Sequence, residues 1–164
     1  MKTVLKIWIT IKVIYGRLKG WIGSLEKEKE AVKRYELGLI KKIPYKQDKF
    51  LGLQWDYQFD AVKAFTGGDC NSIHRVWQIY FSNMGFDSYL VTYIAEPFKM
   101  SHGFCMSYKD GIYYSCNYGN IHEHKTAKEA VEFVASLYES KVKCFVMQDT
   151  RWRFIDDRQI QDNE

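Results

Sequence analysis

Three observations in the sequence predict an α+β fold: a helix beginning at Cys70, an antiparallel hairpin after it, and extra helices at the N-terminus. Gly67-Gly68-Asp69-Cys70 opens an amphipathic segment. Ser88 to Ile94, Ser101 to Tyr108 and Ile112 to Cys116 are β-rich runs, and Asp110-Gly111 joins the last two. Ahead of both, Val4, Trp8, Ile11, Tyr15, Leu18, Ile22 and Leu25 recur at helical a/d spacing. The 164 residues fit one domain, and an apolar fraction of 46% with 16% aromatics is enough for a packed core.

In the first segment, Ile7, Ile14 and Trp21 broaden the apolar stripe, while Gly16, Gly20 and Gly23 weaken a helix. Ile7, Ile9, Ile11 and Val13 also alternate, so a strand is open as well. As a helix, the segment packs on the domain, or else it binds a protein partner or a membrane surface. Basic residues on an apolar helix suit an interface. Ser24 to Lys42 predicts a second helix, with Leu25, Val32, Leu39 and Ile40 inward and Glu26-Lys27-Glu28-Lys29-Glu30 as a solvated run. Pro44 ends it. Residues 1–42 thus form an N-terminal helical segment, 43–120 the core, and 121–164 a helix and a final hairpin. The aromatic-rich stretch 45–66 predicts a loop lining a cleft.

In the Cys70 segment, Ile73, Trp77, Tyr80 and Met84 recur at three- and four-residue steps, widened by Val76 and Phe81. Asp69 is a good N-cap and Gly85 a good stop. Cys70 then falls in the first turn, among unpaired backbone N–H groups. A free thiol near pKa ~8.5 is mostly protonated at neutral pH. A helix N-terminus and a nearby imidazolium both lower that value, and the N–H groups suit an oxyanion. Gly67 and Gly68 allow a tight turn and leave room above the sulfur. The alternative is a buried structural thiol.

The Asp110-Gly111 loop fixes the register of the hairpin. With two loop residues, Lys109 faces Ile112, Phe104 faces Asn117 and Cys105 faces Cys116. His102 then shares a sheet face with Asn117 as its diagonal neighbour, at about 7 Å or less between Cβ atoms. Asp110, at the hairpin tip, is more than ~20 Å from His102 at ~3.3 Å per residue. A three-residue loop would change the parity and separate His102 from Asn117. Asn117-Tyr118-Gly119 is itself turn-like. Downstream, Thr126 to Glu139 predicts a helix with a capping box at Thr126 and Glu129. Lys143 to Met147 and Arg151 to Ile155 predict a last hairpin through Gln148-Asp149-Thr150.

Gly68-Asp69-Cys70, then Ser101-His102-Gly103-Phe104, then Asp110-Gly111-Ile112-Tyr113-Tyr114-Ser115-Cys116-Asn117 together resemble the transglutaminase-like superfamily of papain-like cysteine hydrolases. Ile43-Pro44-Tyr45-Lys46-Gln47-Asp48 and Gln54-Trp55-Asp56 resemble its short microbial and phage members. The resemblance covers about residues 40 to 120. It implies a core in which the helix bearing Cys70 packs on an antiparallel sheet, a Cys70-His102-Asn117 triad, with Asn117 where the superfamily more often has Asp, and an oxyanion donor at Gln54 or Trp55. The implied activity is thiol-dependent acyl hydrolysis or transfer on a peptide or amide, without a cofactor. The alternative is a non-catalytic binding or host-interaction module on the same scaffold.

Composition narrows the partners. A net charge of +4 from 24 basic and 20 acidic residues is mild, and the lysines at 41–49 are too sparse for nucleic acid. His122-Glu123-His124 lacks helical zinc-motif spacing, so no metal is expected. Lys2, Lys6 and Lys12 interrupt the apolar N-terminus, leaving neither a signal nor a transmembrane segment. The four cysteines are then expected as thiols in the cytoplasm, with Cys105 and Cys116 in the core.

Overall fold

The Asp110-Gly111 turn organises the sheet. Both residues have positive φ, 51° and 79°, as a two-residue type I′ loop requires. The loop pairs β2 (His102–Lys109) with β3 (Ile112–Asn117) in the predicted register, with Lys109 facing Ile112 and Cys105 facing Cys116. A second turn of this kind, at Tyr118 (φ 50°) and Gly119 (φ 86°), leads into β4 (Asn120–His124), a strand absent from the sequence reading. The computed structural model describes residues 1–20, 22–35, 37–46 and 67–156. On the other side of β2 lies β1 (Asp87–Glu96), followed by β5 (Lys141–Gln148) and β6 (Phe154–Ile155). The order β4-β3-β2-β1-β5-β6 is antiparallel throughout. The final hairpin is looser than predicted. Among the described residues only Met147–Ile155 and Gln148–Phe154 pair, and the Asp149 carboxylate closes the loop by accepting from the backbone N–H groups of Arg151 and Arg153.

Alternation along the strands separates two cores. Cys105, Cys116 and Val146 face α4 (Cys70–Asn83), meeting Ile73, Val76, Trp77 and Ile79. Val91, Phe104, Met106 and Tyr113 face α5 (Ala127–Ser136), meeting Ala130, Val131 and Val134. All four cysteines are free thiols. The cap of α5 departs from the reciprocal box. Thr126 Oγ1 accepts from Glu129 N at 3.1 Å, but Glu129 Oε2 accepts from Lys125 N at 3.0 Å.

The outer side of α4 is covered by α2 (Leu25–Lys33), while α1 (Lys2–Leu18) lies on β5 beside the start of α4 and α3 (Leu37–Ile40) follows α2. The helix alternative for the N-terminus is therefore the observed one, but its inward face is not the predicted stripe. Leu5, Ile9, Lys12, Val13 and Gly16 are buried, whereas Val4, Ile7, Trp8, Ile11, Ile14, Tyr15 and Leu18 are exposed. The inward face carries a charge, Lys12, which the fold neutralises. Lys12 Nζ lies 3.3 Å from Asp69 Oδ2, with both side chains buried.

The second predicted helix is two helices, interrupted after Arg34. Val32 and Ile40 are buried as expected, Leu25 only partly, and Leu39 is exposed. In the charge run Glu26, Lys27 and Glu30 are exposed and Lys29 is half-buried, whereas Glu28 is fully buried. Its carboxylate accepts from Arg75 Nε at 3.3 Å and from Arg75 Nη2 at 2.5 Å. Arg75 also donates to Gln78 Oε1 and to the Thr150 carbonyl, and its guanidinium stacks 4.2 Å over the Trp152 ring. Gln78 Nε2 continues the network to the Ser88 and Gln148 carbonyls.

At Gly119 the turn passes against α4. A Cβ there would lie 2.9 Å from Trp77 Cζ2, on a backbone at φ +86°. Gly119→Ala is expected to lower stability by roughly 1–3 kcal/mol, read as a shift in the urea midpoint at unchanged slope. An unchanged midpoint would mean that the turn relaxes freely.

Candidate functional site

Asp69 sets the start of α4, its Oδ1 accepting from Ser72 N at 2.8 Å. Cys70 thus occupies the first helical residue, as the sequence predicts. The preceding strand-like stretch is held by backbone bonds from Lys46 N to Gly68 O (2.8 Å) and from Gly68 N to Pro44 O (3.1 Å). Gly67 is needed for that contact, since a Cβ would lie 2.6 Å from the Pro44 carbonyl oxygen. Its role is thus close backbone approach, not space above the sulfur. The contact brings Tyr45 beside the cleft.

His102 opens β2 and Asn117 closes β3, and the register brings their side chains together. His102 Nε2 lies 2.9 Å from Asn117 Oδ1, and Asn117 Nδ2 donates to the Tyr138 hydroxyl at 3.0 Å. With the amide oxygen facing the ring, Nε2 carries the proton and Nδ1 keeps a lone pair. Burial holds the His102 pKa below its usual value, with the Asn117 bond opposing it. The ring is neutral at pH 7.

Cys70 and His102 line one open cleft of about 490 Å³, together with Tyr45, Lys99, Met100, Ser101, Tyr118 and Tyr138. Among the described residues no hydrogen bond joins the thiol to the imidazole. Of the two thiol states open from the sequence, the surroundings favour the protonated one. Burial pushes its pKa up to about 11, and the Asp69 carboxylate adds to this. The backbone N–H of Gly103, Lys12 and the backbone N–H of Asn71 pull the other way without prevailing. Desolvation thus outweighs the two backbone N–H groups and Lys12, which favours a resting pair of thiol and neutral imidazole over thiolate and imidazolium. Gly103 makes the close approach possible, because a Cβ there would collide with Asn71 Oδ1.

His74, one turn after Cys70, has a role that the sequence left unassigned. Its Nδ1 donates to the Cys70 carbonyl at 2.6 Å, and its Nε2 accepts from Tyr118 N at 2.9 Å. Both nitrogens are committed and the ring is fully buried, so His74 is a neutral strut between the Cys70 turn and the Tyr118-Gly119 turn. It holds Tyr118 at a φ of 50°, unusual for a bulky residue, and sets that ring 5.6 Å from His102. A histidine at i+4 from the candidate nucleophile was the available signal, but its partner at Tyr118 is visible only in three dimensions.

Burial drives the His74 pKa well below 6.5. The unfolded chain therefore binds more protons, and stability present above pH ~6.5 is lost as pH falls towards the folded value. The slope is up to about 1.4 kcal/mol per pH unit. His74→Gln is expected to lower stability at pH 7.5 and to flatten this slope by about one proton, measured by urea unfolding at several pH values. An identical slope in both proteins would remove His74 from the account.

Gln54 and Trp55, the expected oxyanion donors, lie outside the described residues, as does most of the 45–66 stretch. Among the described residues no cluster of metal-binding side chains forms, and no helix is long and apolar enough to cross a membrane. Compared with known proteins, the chain matches no family model, no curated protein and no solved structure.

Proposed function

We propose that the protein is a thiol-dependent acyl hydrolase or transferase on a papain-like, transglutaminase-like scaffold, with Cys70 as nucleophile, His102 as base and Asn117 as the residue that orients it. The observation carrying this reading is the 2.9 Å His102–Asn117 bond in the wall of a cleft that Cys70 also lines. The bond leaves His102 Nδ1 as the only ring atom able to take a proton. As an amide or ester carbonyl binds, the thiol turns towards Nδ1. Sγ bonds to the carbonyl carbon while its proton passes to His102. The first-turn N–H of Cys70 receives the developing oxyanion. The tetrahedral species collapses to a thioester, and His102 gives the proton to the departing amine or alcohol. Water or an amine then attacks the thioester, His102 again taking the proton, and Cys70 is regenerated.

A thiol pushed up to about 11 has only about one part in 10⁴ as thiolate at pH 7. The chemistry therefore depends on the base during attack rather than on a standing ion pair. The same observation favours a second reading, a binding module whose Cys70 is a structural thiol. An activated ester decides between them. p-Nitrophenyl acetate is expected to acetylate Cys70, seen as a mass increment on its peptide, and to turn over in the native chain but not in Cys70→Ala. Labelling spread over exposed lysines, with Cys70 unmodified, would leave the binding module.

A further inference from the structure

We propose that the outer face of α1 is a docking surface for an anionic lipid bilayer. The proposal rests on α1 alone and is independent of Cys70 chemistry. Val4, Ile7, Trp8, Ile11, Ile14, Tyr15 and Leu18 are all exposed, although the opposite face of the same helix is already buried against the fold. At 100° per residue they form an uninterrupted apolar band about 120° wide. The helix is about 26 Å long at 1.5 Å per residue. A solvated helix would carry polar residues there.

Charge chooses the occupant. Lys2, Lys6, Lys12, Arg17 and Lys19 lie in or beside α1, and no acidic residue precedes Glu26. Lys12 is neutralised inward by Asp69. Arg17 and Lys19 are exposed on opposite margins of the band, and Lys6 is half-buried on the Arg17 side. A second copy seated on this face would bring two all-cationic helices together. A bilayer with anionic headgroups complements it, taking the aliphatic side chains at the acyl boundary and the cations at the phosphates. Trp8 and Tyr15, each 38% exposed, are suited to the headgroup level. The band is also broader than the two-position seam that a partner helix needs.

Sedimentation of the full chain with vesicles tests this. Vesicles of phosphatidylcholine with about 30% phosphatidylglycerol are expected to carry down the protein at about 0.05 M salt, and phosphatidylcholine alone to carry down at least about fivefold less. Raising salt to about 0.5 M should produce a comparable drop. Ile7→Ser/Ile11→Ser/Ile14→Ser should abolish binding with unchanged circular dichroism and thermal midpoint, since these side chains touch no core. Arg17→Gln/Lys19→Gln should weaken binding to anionic vesicles and leave the phosphatidylcholine background as it was. No binding to anionic vesicles, or equal binding to both compositions, overturns the proposal. So does a dimer in light scattering that the triple serine variant dissolves, which would assign the band to a second copy.

Discussion

Glu28→Ala is expected to destabilise the protein by about 3–5 kcal/mol. The alanine itself is tolerable on α2. What it leaves behind is an arginine at 0% exposure with a charge that no longer has a counter-ion. Arg75 keeps Gln78 and the Thr150 carbonyl, which are dipoles rather than charges. The cost of burying the pair is visible on the acid, because burial raises the Glu28 pKa even though Arg75 opposes it. Urea unfolding of Glu28→Ala measures the loss. Glu28→Leu/Arg75→Met, which removes both charges at similar volume, should recover most of it. If the single and double variants were equally unstable, packing rather than charge would hold α2 on α4. A loss below about 1 kcal/mol would mean that water reaches Arg75.

The second large effect concerns chemistry. His102→Ala is expected to slow acetylation of Cys70 by p-nitrophenyl acetate about 10²- to 10⁴-fold, the usual range for loss of a positioned general base. The pH dependence separates base catalysis from thiolate chemistry. His102 acts as base only when neutral, and burial holds its pKa below 6.5. The native rate should therefore be level at pH 7 and fall as pH drops below that value. In His102→Ala the rate should instead climb with pH towards the thiol value of about 11. Parallel climbing profiles in both proteins would show a thiol that works without the imidazole.

What was legible in the sequence was local. Asp110-Gly111 fixes one register, and that register is enough to bring His102 to Asn117 without knowledge of the rest of the sheet. Asp69 and Gly85 bound α4 for equally local reasons. The failures involve distance or competition. Glu28 and Arg75 are 47 residues apart, and nothing near Glu28 distinguishes it from four neighbours of alternating charge. In α1 two apolar stripes compete, and the one with more hydrophobic residues faces out. The decision falls to Lys12, whose partner Asp69 is 57 residues away. The protonation state of Cys70 was left open by the sequence because helix position is visible there and desolvation is not. β4 went unread because Asn120-Ile121-His122-Glu123-His124 is polar, exposed and at the sheet edge, where burial leaves no alternation.

The ion pair between Lys12 and Asp69 makes α1 inseparable from the turn that presents Cys70. Asp69 caps α4 with one carboxylate oxygen and holds Lys12 with the other. The N-terminal helix is therefore not a modular appendage that can be exchanged or trimmed. Removing residues 1–22 strips Leu5, Ile9 and Val13 from the core around α4 and strands a buried carboxylate beside the candidate nucleophile. Loss of function in such a truncation would say nothing about whether the outer face of α1 has a partner. In a lineage of such chains, the two faces of this helix would drift under separate constraints, the inner one with Asp69 and the outer one with whatever it meets.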